Sequence, residues 1–166
     1  MPATRKSRWN RVKGRLLPVL SHSTRTAVAA VASLLVARLF TLPEAYWAPL
    51  TTLVITQSSL GAALTVSWQR SVGTVLGGAV GVIAATFFGR GVLVFAVGVF
   101  LLGLLCALIR SDRSAYRFSG ITLAIVLLVP RTGPPSQIAW HRCAEVFIGI
   151  GVALLLTMVW RDREAS

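Results

Sequence analysis

The chain has 166 residues, of which 55% are apolar before its 14 glycines are counted, and 13% are charged. A soluble domain is about a quarter charged, so a body of this size would lack the charge to cover its surface, and the same apolar content excludes disorder. A net charge of +12 would point to nucleic acid in a soluble protein; here the basic residues fill the gaps between apolar runs, which points to a polytopic, all-α membrane protein in contact with the lipid bilayer and not with nucleic acid.

Residues 1–25 form a basic segment in which Trp9, Val12, Leu16 and Leu20 recur at spacings of three and four. Two readings stand: a short helix lying on the inner leaflet, held by anionic lipid, or a basic tail that only sets topology. A cleaved signal peptide is disfavoured, because the apolar run from Ala27 continues to Arg38 with no cleavage site beyond it. Six spans are predicted, at 26–42 (interrupted by Arg38), 45–60, 72–88, 92–109, 118–130 and 143–160, with a short tail at 161–166. Spans three and four reach about 26–27 Å, enough for a thin bilayer. Trp47, Trp68, Trp140 and Trp160 fall at or near predicted span ends, where an amphipathic ring prefers to sit.

Orientation follows from the loops. With the N-terminus inside, the inner side holds 13 basic residues, among them Arg25, Arg70, Arg110 and Arg161, and the outer side holds Arg38, Arg90, Arg131 and Arg142. This positive-inside bias puts both termini in the cytoplasm.

The second half of the chain echoes the first, dividing it into units of about 26–88 and 92–160. Tyr46 and Tyr116 each open a span, and Thr52-Leu53-Val54-Ile55 matches Thr122-Leu123-Ala124-Ile125 at the same offset. Farther on, and at an offset larger by two, Trp68-Gln69-Arg70 matches Trp140-His141-Arg142, and Gly77 matches Gly149. A unit of three spans crosses an odd number of times, so its copy enters with opposite orientation. The expectation is an inverted three-plus-three repeat, an architecture on which transporters build a midplane site; duplication for stability alone is the alternative. Such sites form at short or broken spans in matching positions. Spans two and five match and are both short, span two carrying Pro49 near its start and turning polar at Gln57-Ser58-Ser59.

Arg70 has no acid nearby in sequence, whereas its repeat mate Arg142 has Glu145 one helical turn on, where the two can pair. An unpaired guanidinium beside a low-dielectric path attracts a carboxylate; as a snorkelling anchor at the mouth of span three it would do nothing of the kind. Glu145 is a candidate proton carrier. Trp47 and Tyr46 are able to stack on an aromatic substrate or to serve as belt residues. Gly73, Gly77 and Gly81 recur at four-residue spacing, which suits close helix packing within one subunit, a dimer seam or a path-lining face. Cys106 and Cys143 show no metal-ligand spacing and read as small apolar residues. No hydrolase, zincin or phosphate-loop motif is present, so no enzyme activity, metal or cofactor is expected.

The stretch carrying Pro43, Tyr46-Trp47-Ala48, Leu50-Thr51, Gln57, Ser59-Leu60-Gly61, Arg70, Gly73-Thr74, Gly77 and Gly81 resembles the membrane domain of fusaric-acid-resistance-like (FUSC) proteins, the aromatic acid exporter group, and more distantly plant malate channels. The resemblance implies six-span units that associate in pairs, and efflux of aromatic or other organic acids. Many such proteins carry a large cytoplasmic domain or a second membrane half; a lone six-span unit is expected to form a homodimer. The leading expectation is an inner-membrane exporter of organic, aromatic included, carboxylate anions, with Arg70, Arg142, Trp47, Tyr46 and Gln57 on the path and Glu145 coupling to protons. A passive anion channel and a non-transporting membrane subunit that scaffolds a partner are the alternatives.

Overall fold

A computed structural model describes residues 5–56, 59–109, 113–130 and 133–159. Six helices account for nearly all of them: α1 (Arg5–Leu39), α2 (Trp47–Thr56), α3 (Leu60–Phe87), α4 (Val92–Leu108), α5 (Arg113–Leu128) and α6 (Pro135–Val159). Gln57, Arg110, Arg131, Trp160 and the 161–166 tail lie outside the described residues, as do the side chains of Trp9 and Val12. Among the described residues, three helical stretches are long and apolar enough to cross a membrane: Val19–Leu39, Leu60–Phe87 and Pro135–Val159. With 28 and 25 residues, α3 and α6 are about 42 and 38 Å long, beyond the ~30 Å hydrocarbon thickness, and their excess accommodates tilt. In contrast α2, with ten residues, reaches only about 15 Å.

What is buried identifies the solvent. The exterior of α4 is Val92, Leu93, Val97, Phe100, Leu104 and Leu108, while the interior of the bundle holds Thr51, Thr52, Thr56, Arg70, Thr74, Thr122, Arg142 and Glu145. A water-soluble fold reverses that distribution. In lipid it is the expected one, because apolar side chains gain nothing by leaving the hydrocarbon and polar ones must find each other.

The helices interlock across the two halves of the chain. α3 packs against α5 and α6, and α2 against α6; α1 rests on α2 and α6, and α4 on α5 and α3. Exchanging α1 with α4, α2 with α5 and α3 with α6 leaves this set of neighbours unchanged. The α3–α5 and α2–α6 pairings are built the same way. A Cβ on Gly73 would stand 2.5 Å from the Ala115 carbonyl oxygen, and one on Gly77 would strike the Ser119 backbone. On the other side, a Cβ on Gly149 would stand 2.5 Å from the Ala48 carbonyl oxygen, and the Thr52 hydroxyl donates to the Gly149 carbonyl at 3.0 Å. Without side chains at these positions the backbones approach closely, which supplies dispersion contact where no hydrophobic drive exists.

Several predicted boundaries move. α3 begins at Leu60 and α6 at Pro135, well before 72 and 143, because Arg70 and Arg142 are buried members of their helices and not loop residues. Trp68 and Trp140 accordingly sit inside helices, each 72% exposed. α1 runs without a break through the expected division at residue 25, and Arg25 is buried on it. α1 ends with Thr41 at φ 52°; Leu42 N–H donates to Ala37 and Thr41 N–H to Arg38, the double capping bond that satisfies the last carbonyls of a helix. Among the connections between helices, Arg90 donates to the Gly133 carbonyl at 3.2 Å, joining the α3–α4 and α5–α6 turns.

Candidate functional site

The α3–α6 contact brings Arg70 and Arg142 within electrostatic reach of one another. Arg142 is 1% exposed. Its Nη1 lies 3.1 Å from Glu145 Oε2, one turn along α6, and its guanidinium carbon lies 4.1 Å from the centroid of the Trp47 ring at the start of α2. That ring is fixed in turn, since Trp47 Nε1 donates to Glu44 Oε2 at 2.7 Å and Tyr46 tilts against it with centroids 5.5 Å apart. Tyr46 itself is exposed. Arg142 is therefore held by a carboxylate and an aromatic face together.

Arg70 repeats half of that arrangement. It is 8% exposed, and its guanidinium carbon lies 4.8 Å from the Phe118 ring centroid on α5. Among the described residues no carboxylate pairs with it, and its Nε has no hydrogen-bond partner. At the offset that relates Arg142 to Arg70, the position equivalent to Glu145 is Gly73, where the α5 backbone leaves no room even for a methyl group. Of the carboxylates in this cluster, Glu145 is bonded to Arg142 and Glu44 to the Trp47 indole, so Arg70 is a charged group without a carboxylate partner among the described residues, in an interior where charge is costly. Such a place attracts an anion, and a guanidinium fork offers a carboxylate two parallel bonds.

The sequence-derived residues therefore separate. Arg70, Arg142, Glu145 and Trp47 meet around the α3–α6 contact. Tyr46 stands at its edge, Gln57 lies outside the described residues, and Gly73, Gly77 and Gly81 face α5 of the same chain, Gly81 against Val126. Phe118 was not singled out from sequence. The signal for it is faint: the interval from Trp47 to Phe118 falls between the two offsets of the repeat. A separate groove of about 370 Å³ between α3 and α4 is lined by Val80, Ile83, Phe88, Leu93, Val97 and other apolar residues. It offers no charge to an anion.

The family model described as fusaric acid resistance protein-like matches residues 29–156. The chain belongs to that family. It is 33% identical over 147 residues to the inner membrane protein YeeA of Escherichia coli (strain K12), covering 86% of this chain and 41% of that protein. It is 29% identical over 164 residues to the p-hydroxybenzoic acid efflux pump subunit AaeB of Edwardsiella ictaluri (strain 93-146), covering 89% of this chain and 25% of the relative. The subunit of the same name from Salmonella paratyphi A is 28% identical over 161 residues. The chain thus spans less than half the length of these relatives. No solved structure matches it.

Proposed function

We propose that this FUSC-family chain is an inner-membrane exporter of organic carboxylate anions, aromatic ones among them, and that Arg70 receives the anion. The observation that carries the reading is a buried guanidinium on a membrane-length helix with no carboxylate pairing it among the described residues, set over the Phe118 ring. Similarity to p-hydroxybenzoic acid efflux pump subunits and to an inner membrane protein supports the substrate class and the location. Trp47 shapes the path from the α2 side, and Glu145, bonded to Arg142, is the acid through which a proton gradient couples.

The reading includes six crossings arranged as an inverted three-plus-three repeat with both termini cytoplasmic, and two copies side by side. The exchangeable packing of the two halves and the matched glycine crossings support the repeat; the bond from Arg90 to Gly133 supports a shared side for the α3–α4 and α5–α6 turns. The family resemblance supports the pair of copies. Single cysteines at Arg90 and Gly133 are expected to react with an impermeant periplasmic reagent, and labelling of one without the other contradicts the topology.

The decisive experiment is flux of p-hydroxybenzoate in proteoliposomes. Arg70→Ala is expected to lower the rate by at least about tenfold, the scale of a lost charge-assisted hydrogen bond. Transport by Arg70→Ala at the wild-type rate removes the basis of the reading. Currents that follow the anion gradient and ignore a pH gradient assign a channel instead.

A further inference from the structure

Hydroxyls inside these helices follow one habit. On α3, Thr65 donates to the Gly61 carbonyl, Ser71 to Ser67 and Thr86 to Val82. Thr122 on α5 and Thr157 on α6 likewise donate four residues back. This back-bond satisfies a hydroxyl where water is absent. Ser67, like Thr26 on α1, departs from it. Ser67 is 5% exposed, yet its Oγ has no hydrogen-bond partner. One turn further along the same face stands Arg70, 8% exposed, whose Nε is in the same condition. Residues at i and i+3 have Cβ atoms about 5–6 Å apart. Two neighbouring buried donors thus lack an acceptor, a costly arrangement in an interior.

Building on the carboxylate-export reading, we infer that the Ser67 hydroxyl and the Nε edge of Arg70 together hold the carboxylate of the transported anion. A carboxylate has two oxygens with lone pairs in one plane. The Arg70 edge takes one oxygen and the Ser67 O–H takes the other, while the Phe118 ring under the guanidinium forms an apolar wall for the organic body. A halide puts both bonds on one larger, weaker acceptor, whereas a carboxylate gives each donor its own oxygen, so Ser67 favours carboxylates over chloride. The repeat mate of Ser67, at the offset that relates Arg142 to Arg70, is Ala139, which has no donor, and the mate of Arg70 is already bonded to Glu145. Of these two matched positions, only the one on α3 therefore offers such a site.

The test is binding of p-hydroxybenzoate to the purified full chain in nanodiscs, with chloride as competitor and the ligand-free melting temperature as a control for folding. Ser67→Ala is expected to weaken p-hydroxybenzoate binding about tenfold, to leave the chloride competition constant within about twofold, and to leave the ligand-free melting temperature unchanged or raised, since an unpartnered buried hydroxyl is removed. Ser67→Thr, which keeps the hydroxyl, is expected to bind within about threefold of wild type. Wild-type affinity in Ser67→Ala, with binding lost in Arg70→Ala, overturns the role of Ser67 and leaves the arginine reading intact. Should Ser67→Ala fail to fold, Ser67→Cys carries the test: its weak donor is expected to cost several-fold in affinity, and wild-type affinity overturns the inference. Full affinity in Arg70→Ala overturns the inference and the export reading together.

Discussion

Arg142 and Arg70 occupy the same place in the two halves of the chain, each over an aromatic ring supplied by the other half, but they differ in what stands one helical turn away. Beside Arg142 it is a glutamate at 3.1 Å. Beside Arg70 it is Gly73, pressed against the α5 backbone. The same local geometry thus holds an arginine–glutamate pair in one half and, in the other, a buried guanidinium that no carboxylate pairs with among the described residues. If the two halves are copies, as proposed above, the residue at one position, glutamate or glycine, decides whether the cradle is filled from within.

The comparison breaks first at Glu145. Replacing it with alanine leaves the Arg142 charge buried without its carboxylate and is expected to cost about 3–5 kcal/mol, read as lost stability in detergent unfolding; Arg142→Met combined with Glu145→Leu is expected to recover most of it. Stability unchanged in Glu145→Ala means that the pair is not what fills this cradle. Next comes crowding at the other cradle: Gly77→Leu forces α3 off the Ser119 backbone and is expected to cost about 2–3 kcal/mol, whereas Gly61→Ala, with open space around it, is expected to be neutral or stabilising by under about 1 kcal/mol. The rings are worth less. Trp47→Leu and Phe118→Leu are each expected to lose about 0.5–2 kcal/mol of cation–π stabilisation, with Phe118→Leu weakening p-hydroxybenzoate binding more than Trp47→Leu. Smallest is Thr41→Gly, which relieves a left-handed backbone at the end of α1 and is expected to stabilise by about 1 kcal/mol.

Much of this was legible in the residues. Composition points to the helical membrane class, two sequence offsets pair Arg70 with Arg142, and the spacing of Arg142 to Glu145 points to the ion pair that the fold contains. The helix ends were not legible at α3 and α6, because arginine reads as a boundary in a hydropathy pattern and here it is interior. Phe118 was missed for a different reason: it meets Arg70 across two helices, and no period along one helix encodes which neighbour it faces. The glycine spacing marked a close-packed face without naming α5 as its partner. Ser67 lay hidden because an orphaned hydroxyl is defined by bonds not made, which only the packed structure displays.

The crossed pairing of the halves has a consequence for biogenesis. Synthesis delivers α1, α2 and α3 before either α5 or α6 exists, yet α3 shields Arg70 against α5 and α2 fits its threonines to α6. The early segments therefore enter the bilayer with a charged, hydroxyl-bearing flank uncovered, at a cost that insertion has to tolerate until the later helices arrive. A chain arrested after α3 is expected to remain beside the insertion machinery or be degraded, and co-expression of residues 1–109 with residues 110–166 as separate pieces is expected to rescue both.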